Sequence, residues 1–396
     1  MMETDVFVAG AGLAGSVAAL SYSKAGRNVI VADPFIGSEN AQVDYRTTAY
    51  LQPSKLFLER LGIWEAIEDN AMPLEVMKII DSSSVKNRDE IKSQKEFKSA
   101  EISDLPFGWN VKNSLMRTAL KRLIDSQSNC KLITSSSAID LVCRDSAAYI
   151  KLSNGNKLKA KLVVAADGRN SILREKASIS VKTHRFGQKA LAFAVTHSLP
   201  HKNISTEIHN SGGPFTLVPL PDNEGKPSSA IVWMENGEKA KNLMEMETKK
   251  FEQEMTVRSC NILGPLKLAS KRSLWPIISQ IADKLYSQRL ALIGETAHVV
   301  PPIGAQGLNM SLADIKVLSD LDQKYPDQLG SMDTLNEYQK NRIVDIRQRV
   351  AGVSALNQIS ISSNKLVQNI RAFGLENFFQ VPAIKHTTMK LGMGNR

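Results

Sequence analysis

The sequence predicts an α/β fold in which a doubly wound, parallel-sheet domain is interrupted by an antiparallel-sheet domain and followed by a C-terminal helical segment. Near residues 5–9, 162–166 and 290–294, a short apolar run leads directly into a turn and then a helix. Such runs are typical of strands buried on both faces of a parallel sheet. Residues 180–275 instead carry alternating apolar and polar segments, which predict antiparallel strands.

Composition limits the function classes. Of the 396 residues, 42% are apolar and 23% are charged, as in ordinary globular proteins of two or three domains. No apolar run is long enough for a transmembrane helix, and the acidic residues before the first apolar run argue against a signal peptide. Three widely separated cysteines exclude a disulfide framework and a structural zinc site, and they suit a reducing cytosol. The net charge of +10 leaves nucleic acid, a membrane surface or an acidic ligand as partners.

The first unit predicts dinucleotide binding. A strand at 5–9 is followed by Gly10, Gly12 and Gly15, a helix at 13–24 and a second strand at 28–32. Gly10 permits the tight turn, Gly12 lets the backbone approach a pyrophosphate, and Gly15 allows the helix to pack closely on the strand. Asp33 follows Gly15 by 18 residues, near the spacing of a ribose-binding carboxylate. The pattern does not choose between FAD and NAD.

The next region is less regular. Residues 44–50 are polar and predict a turn, a helix capped by Ser54 is expected at 55–61, and another helix at 114–126. Asn154-Gly155 predicts a hairpin turn. Arg46 is a candidate ligand for the cofactor's phosphates or ribose, and a solvated surface arginine is the alternative.

Two further clusters follow predicted strands. Asp167-Gly168 ends the strand at 162–166 and leads into a helix capped by Ser171, which places an acid at the ligand edge of the sheet. Glu295 follows the third strand, before a proline- and glycine-rich loop that opens a helix near Leu308. Two widely separated glycine-rich helix starts suit one extended cofactor better than NAD alone. His298 is either a general base or a histidine packed beside the cofactor.

Within 180–275, strands are expected at 190–196, 215–220 and 229–234, with breaks at 212–214 and 219–221, and a helix at 238–262. The aromatic side chains of Phe215, Trp233 and Trp275 are expected in the core. No metal-ligand spacing, nucleophile elbow or P-loop occurs, which disfavours a metal site, a hydrolase and a P-loop enzyme. A nucleic-acid function is disfavoured because no aromatic and basic platform is present.

Taken together, the three clusters resemble the flavin-dependent aromatic hydroxylases, whose fold is like that of para-hydroxybenzoate hydroxylase. Residues 299–309 are the most specific stretch. Within that group the chain is most similar to the ring hydroxylases of ubiquinone biosynthesis, through 46–49, 61–64, 337–342 and 392–394. The resemblance implies a Rossmann-like FAD-binding domain at 1–75, 103–178 and 276–330. An inserted substrate domain would span 76–102 and 179–275, with a C-terminal helical region at 331–396.

The resemblance also implies residue roles. Gly10, Gly12 and Gly15 would hold the FAD pyrophosphate, Asp33 the adenosine ribose, and Glu295 the ribityl–phosphate part. Residues 304–309 would lie along the isoalloxazine, and Pro301 and His298 would border the substrate or flavin side. The full set of implied FAD-binding residues is Gly10, Gly12, Leu13, Ala14, Gly15, Asp33, Arg46, Asn113, Asp167, Gly168, Glu295, Gly304, Gln306, Gly307, Leu308 and Asn309.

The implied reaction has two halves. NAD(P)H, bound transiently, reduces FAD, and the reduced flavin takes up O2 as a C4a-hydroperoxide that hydroxylates the phenolic ring of a polyprenylated ubiquinone precursor. No catalytic base is assigned, and the ring carbon and the choice of NADH or NADPH stay open. The alternatives are a related FAD enzyme acting on another aromatic or an isoprenoid, and a non-catalytic flavin-binding subunit of a lipid-modifying complex.

The placement of the charge predicts a location. Residues 331–396 contain nine Lys and Arg against four Asp and Glu, with Phe373, Phe378 and Phe379 close to Arg371. An ordinary solvated helical face is one interpretation. The other is a tail that docks on anionic lipid or in a ubiquinone-biosynthesis complex. We therefore expect a cytoplasmic protein, attached peripherally to the inner face of the membrane.

Overall fold

The computed structural model describes residues 1–36, 44–82, 91–361 and 382–393. The strands are β1 (Met2–Ala9), β2 (Val29–Asp33), β3 (Thr47–Leu51), β4 (Met72–Leu74), β5 (Val76–Asp81), β6 (Ser93–Lys98), β7 (Gly108–Lys112), β8 (Cys130–Thr134), β9 (Ala138–Cys143), β10 (Ala148–Leu152), β11 (Lys157–Ala165), β12 (Val181–Thr196), β13 (Ile204–Asn210), β14 (Gly213–Asn223), β15 (Lys226–Asn236), β16 (Lys267–Leu268), β17 (Ser273–Ala282), β18 (Tyr286–Ser287), β19 (Leu290–Leu292) and β20 (His298–Val299).

The α-helices are α1 (Leu13–Lys24), α2 (Gln52–Arg60), α3 (Asn113–Asp125), α4 (Ile172–Lys176), α5 (Gly237–Glu245), α6 (Thr248–Arg258), α7 (Gln306–Lys324), α8 (Met332–Ile361) and α9 (Pro382–Met393). Short 3₁₀ turns lie at Trp64–Ala66, Glu68–Asn70, Ser99–Glu101, Gly294–Thr296 and Pro326–Gln328. No helix of the described residues is long and apolar enough to cross a membrane.

The first sheet contains the three predicted buried strands. Its order is β18-β19-β11-β1-β2-β8, and the β9–β10 hairpin extends from β11. β1 pairs in parallel with β11 and β2, and β11 pairs in parallel with β19. Ala9 is level with Ala165, and Ala165 is level with Leu292. Because parallel strands end at the same edge, the glycine-rich turn, the Asp167 turn and the Glu295 turn all converge there.

The second sheet is mostly antiparallel and has the order β20-β17-β12-β15-β14-β13-β5-β6, with β16 paired to β12. Only β5 and β13 run parallel among its described pairs. The sheet has its own apolar core, which includes Phe193, Phe215, Trp233 and Phe251. The predicted α/β fold class is confirmed. The domain limits stay a prediction, and β17 runs across residue 275, where we placed one of them.

A three-stranded sheet, in the order β3-β7-β4, links the two large sheets. Asn110 of β7 donates to the carbonyl of Pro219 in β14 at 2.9 Å. On the other side, the Asn309 side chain of α7 accepts from the Leu51 N–H at 2.9 Å and donates to the Ala49 carbonyl at 2.8 Å. These contacts fix the small sheet as one wall of the space between the large sheets.

Several local predictions need correction. Residues 47–51 form β3 and not a turn, because β7 supplies a partner strand from far along the chain. Helix α2 begins at Gln52 and has no side-chain cap, so Ser54 lies inside it. The predicted break at 219–221 lies inside β14, and these residues lie beyond its pairing with β13. A proline there has no ladder bond to lose on that side.

Two other predictions have mixed outcomes. The predicted helix at 238–262 is two helices, α5 and α6, with a break at 246–247. The hairpin at Asn154-Gly155 and the Ser171 cap of α4 are confirmed, with Ser171 accepting from the Arg174 N–H at 3.0 Å. Of the tail residues that we singled out, Arg371, Phe373, Phe378, Phe379 and Gly394 lie outside the described residues.

Candidate active site

A cavity of about 1120 Å³ lies between the ligand edge of the first sheet and one face of the second. One end is formed by the three sequence clusters, and the other end by apolar side chains of the second sheet, α8 and α9. The predicted site residues that line it are Gly12, Leu13, Ala14, Gly15, Arg46, Asn113, Gly168, Glu295, His298, Pro301, Gly304, Gln306, Gly307 and Leu308. The other four, Gly10, Asp33, Asp167 and Asn309, lie behind this first layer.

The three glycines of the first turn are needed for different physical reasons. Gly10 has φ +94°, and a Cβ there would lie 2.5 Å from the carbonyl oxygen of Ala166. A Cβ on Gly15 would lie 1.9 Å from the carbonyl oxygen of Gly10. Gly12 has no heavy atom within 4 Å of its Cβ position, so that space stays open at the cavity wall. Gly10 and Gly15 therefore serve the fold, and Gly12 leaves room for a ligand at the N-terminus of α1.

Asp33 braces this turn from the end of β2. One carboxylate oxygen accepts from the Ala11 N–H at 2.7 Å, and the other accepts from the N–H groups of Phe35 and Ile36 at 2.8 and 3.1 Å. The oxygen that accepts from Ala11 has a further lone pair, so the group retains the capacity to accept from a ribose hydroxyl. The ribose role stays a prediction.

Arg46 lies at the cavity wall where the small sheet begins. Its Nε is 2.8 Å from Asp44, and its guanidinium lies 4.1 Å from the centre of the Trp275 ring. Burial alone would lower the pKa of Arg46, but the hydrogen bond and charge of Asp44 outweigh it and raise the pKa. Both groups are therefore charged, and the contacts with Asp44 and Trp275 disfavour the alternative of a solvated surface arginine. Trp275 was expected in the core, and this expectation is wrong, because its side chain lines the cavity.

Asn113 supports this pair. Its amide nitrogen donates to Asp44 at 3.1 Å, and its amide oxygen accepts from the Thr48 hydroxyl at 2.8 Å. Arg117, one helical turn further along α3, also lines the cavity and lies 3.6 Å from Asp44. Sequence reasoning did not single out Arg117, although its spacing of four from Asn113 places both residues on one helix face.

Asp167 acts as a helix cap. One carboxylate oxygen accepts from the N–H of Ile172 at 3.1 Å, and the other accepts from the Thr296 hydroxyl at 3.3 Å. Buried Arg174 donates to the Thr296 carbonyl at 2.8 Å. These bonds join the second and third clusters into one rigid edge. The Asp167 side chain faces this joint, whereas the backbone of Gly168 faces the cavity.

The third cluster, residues 295–309, presents mainly its backbone to the cavity. Glu295 is exposed on the cavity wall, and Pro301 to Leu308 form a loop and the first turn of α7. Ala305 has φ +56°, a left-handed conformation that costs energy for a residue with a side chain. Asn309 stabilises it by donating to the Ala305 carbonyl at 2.6 Å. Asn309 therefore fixes the loop and β3 relative to each other through its hydrogen bonds.

His298 belongs to a buried charged network. Its Nε2 lies 2.7 Å from Asp314, and the other oxygen of Asp314 accepts from the Nε of Arg342 at 2.8 Å. Burial alone would raise the pKa of Asp314, but His298 and Arg342 outweigh it and lower the pKa. His298 is 2% exposed. Its Nε2 therefore faces Asp314, which favours the interpretation of His298 as packed beside the cofactor.

The network continues along α8 to the glycine-rich loop. Arg342 binds Asp345 at 2.9 Å, Asp345 binds Arg349 at 3.0 Å, and Arg349 donates to the Gln306 side chain. Gln306 donates to the carbonyls of Gly304 and Gly392, at 2.7 and 3.1 Å. Residues 342, 345 and 349 share one helix face, but their partners are distant in sequence, so sequence reasoning missed them.

The apolar end of the cavity has a floor made by the second sheet. Its floor and cover include Met77, Ile79, Phe97, Ala192, Val218, Val232, Leu356, Ile359, Met389 and Met393. Two charged or titratable residues interrupt it, Glu207 and His209 of β13. Neither was singled out from the sequence, where β13 shows only an irregular alternation.

The site fits an extended dinucleotide cofactor. Gly12 leaves an open space at a helix N-terminus, and Arg46, Arg117 and Arg169 place positive charge on the wall at the same end. A pyrophosphate needs such backbone N–H groups and cations. No group of three or more His, Cys, Asp or Glu side chains that could hold a metal ion occurs in the described ranges.

Comparisons with known proteins agree with this geometry. A family model described as an FAD binding domain matches residues 3–351. The chain is 27% identical to the ubiquinone hydroxylase UbiL of Rhodospirillum rubrum, over 98% of this chain and 89% of that protein. It is 24% identical to the 3-demethoxyubiquinol 3-hydroxylase of Escherichia coli, over 99% and 98% of the two chains.

Solved structures show the same fold. The p-nitrophenol 4-monooxygenase PnpA of Pseudomonas putida superimposes with a TM-score of 0.81 at 16% identity, covering all of both chains. The flavin-dependent monooxygenase PieE, solved with FAD and substrate, gives a TM-score of 0.71 at 16% identity, over 99% of this chain and 72% of that one. At this identity the likeness concerns the fold.

Proposed function

The chain belongs to the FAD-binding-domain family, and from this premise we propose that it hydroxylates the phenolic ring of a polyprenylated ubiquinone precursor, using FAD, NAD(P)H and O2. Relatives that match nearly its whole length are named as a ubiquinone hydroxylase and a 3-demethoxyubiquinol 3-hydroxylase. FAD, when bound, supplies the electron transfer from NAD(P)H and the activation of O2. The protein must hold the cofactor, orient the ring and exclude water.

The proposed FAD site uses the residues at the first-sheet end of the cavity. The backbone N–H groups at Gly12 and in the first turn of α1 would donate to the pyrophosphate, and Arg46 and Arg117 would supply positive charge beside it. Asp33 would accept from the adenosine ribose and Glu295 from the ribityl chain. Backbone N–H groups of residues 304–308 would face the ring of the flavin. Gly10, Asp167 and Asn309 would act from behind by fixing these segments.

The observation that carries the proposal is the continuity of the cavity. A single space runs from the glycine-rich turn, where phosphates would bind, to an apolar floor formed by the second sheet. A prenylated phenol has the matching form, since its ring can reach the flavin end while its chain contacts apolar side chains. A small soluble aromatic acid would leave the apolar end without a ligand, and no lysine or arginine is among the described residues that line that end.

Metabolite profiling of a deletion strain, followed by assay of the purified protein, tests the proposal. We expect a prenylated precursor lacking one hydroxyl to accumulate. The purified yellow protein should oxidise NAD(P)H faster with that precursor and add one oxygen to it. Addition of two hydrogens would instead indicate an isoprenoid reductase. FAD binding without substrate-stimulated NAD(P)H oxidation would indicate a non-catalytic subunit, and a protein that takes up no FAD would contradict the proposal.

We also propose that the protein works at the cytoplasmic face of a membrane, where its substrate resides. The supporting observation is that residues 331–396 contain nine basic and four acidic residues. Sedimentation with vesicles of neutral lipid, with and without anionic lipid, tests this. Binding should need anionic lipid and weaken with salt. Binding that ignores salt and survives serine substitution of Phe373, Phe378 and Phe379 would contradict it.

A further inference from the structure

A polar cluster lies on the apolar floor of the cavity. Glu207 and His209 of β13 point to the same face of the second sheet, and both line the cavity. Ser360, in the last turn of α8, also lines it. The cluster is remote in sequence from the three cofactor motifs, and the proposed flavin contacts do not use it.

The three side chains form a chain of hydrogen bonds. The Nε2 of His209 lies 2.8 Å from the Oε1 of Glu207, and the Nδ1 of His209 lies 3.0 Å from the Oγ of Ser360. Glu207 is 8% exposed, His209 9% and Ser360 1%. If the Ser360 hydroxyl donates to Nδ1, the imidazole is neutral and donates its Nε2–H to Glu207. The carboxylate is then held in a fixed orientation and is an acceptor only.

This carboxylate lies beside uncharged side chains of the neighbouring strands. At its level on the sheet its neighbours are Ile79 of β5 and Thr216 of β14. Within the described part of the chain, no lysine or arginine forms an ion pair with Glu207, and its partner is His209. A buried carboxylate without a cation is costly, and one His209 bond occupies only part of its accepting capacity. Because Glu207 lines the cavity, its remaining capacity to accept hydrogen bonds is available to a ligand there.

We propose that Glu207, oriented by His209 and Ser360, accepts a hydrogen bond from the phenolic hydroxyl of the substrate and so fixes the ring in the cavity. This rests on the proposed function, and it names the group that recognises the substrate. The hydroxyl satisfies the open side of the carboxylate, while the prenyl chain contacts the apolar floor. The bond also favours an electron-rich ring, because a phenol that donates to a carboxylate gains partial phenolate character.

Equilibrium binding to the FAD-loaded protein, without NAD(P)H, tests this. The probes are a short-chain prenylphenol and its O-methyl ether, which lacks the O–H, and the readout is the change in flavin absorbance. We expect the wild type to prefer the phenol by about tenfold or more, as for a hydrogen bond to a charged group. Glu207→Gln should abolish most of that preference and leave the ether's affinity nearly unchanged.

Two further variants separate recognition from structure. Ser360→Ala should reduce the phenol preference several-fold, through a less well oriented His209. Thr216→Val, at the neighbouring position on the same face, should change the affinity for both probes alike. In turnover, Glu207→Gln should raise the NAD(P)H consumed per product, because a misplaced ring is hydroxylated less often.

The outcomes distinguish a failure of the role of Glu207 from a failure of the proposed substrate class. Equal affinity of the wild type for phenol and ether, or equal losses for both probes in Glu207→Gln, would overturn the role of Glu207 while hydroxylation could still be measured. A wild type that binds neither probe, yet binds FAD, would overturn both this role and the proposed substrate class.

Discussion

The two ends of the cavity are built by different means. At the flavin end, backbone brought close by glycines forms much of the wall, charged side chains such as Arg46 and Glu295 add to it, and a buried network of side chains fixes that backbone. At the apolar end, the contacts come from side chains of six strands and two helices. The difference teaches that a cofactor shared by a family is recognised by local backbone geometry, whereas a substrate is recognised by side chains collected through sheet pairing.

The largest effect should come from Asp314→Asn, beneath the flavin end. The change removes the buried carboxylate that His298 and Arg342 share and leaves Arg342 with Asp345 alone, which costs about 3 kcal/mol of unfolding free energy. The pKa of Asp314 is lowered in the folded protein. Its stabilisation is therefore present above the unfolded pKa and is lost as pH falls through the folded value.

Urea unfolding across pH checks this. Wild-type stability should fall on acidification below about pH 4, and the Asn variant should show a shallower fall. The affinity of the refolded, FAD-loaded variant for the prenylphenol should be nearly unchanged. A variant as stable as the wild type at neutral pH would contradict the network's role.

The next effect separates two glycines of one turn. Gly15→Ala places a Cβ against the Gly10 carbonyl and should lower the unfolding free energy by about 3 kcal/mol, with loss of FAD. Gly12→Ala meets open space and should leave the apoprotein stable, yet raise the FAD dissociation constant about tenfold, because the methyl occupies the space for the pyrophosphate. Thermal unfolding of the apoprotein and FAD titration measure both. Normal FAD affinity in Gly12→Ala would disprove the assignment.

These glycines show what the sequence could predict. Their roles follow from sterics within six residues, so the first unit and its neighbours at 167 and 294 could be predicted from local order. The role of Asp167 was harder, because its carboxylate caps α4 and binds Thr296, a partner more than a hundred residues away. Glu207 and His209 could not be found at all, since only the pairing of β13 with β5 and β14 shows which face they share.

A smaller effect is expected for Arg46→Lys. Lysine keeps the charge but loses the two-nitrogen contact with Asp44 and the stacking on Trp275, so FAD affinity should fall about tenfold. Arg60→Lys is the matched control, since Arg60 pairs with Asp320 away from the cavity. FAD titration compares the two. Equal affinities for both variants would show that Arg46 does not contact the cofactor.

The smallest effect should come from the cover of the apolar end. Lys385 of α9 lies 2.6 Å from Glu101, and both side chains are partly exposed. Lys385→Ala should change global stability by less than about 1 kcal/mol. Cleavage after Lys390 by trypsin should become several-fold faster, since α9 would separate more often. Lys121→Ala, which removes an exposed pair on α3, is the control. A global loss of several kcal/mol would mean that α9 is an integral part of the core.

The central claim is that one cavity joins a flavin to a prenylated phenol. Turnover of the FAD-loaded protein with NAD(P)H, isotopically labelled O2 and a prenylphenol tests it most directly. The product should carry one labelled oxygen on its ring and an intact prenyl chain. Label from water, a product that has gained only hydrogen, or NAD(P)H oxidation that the phenol does not stimulate would contradict it.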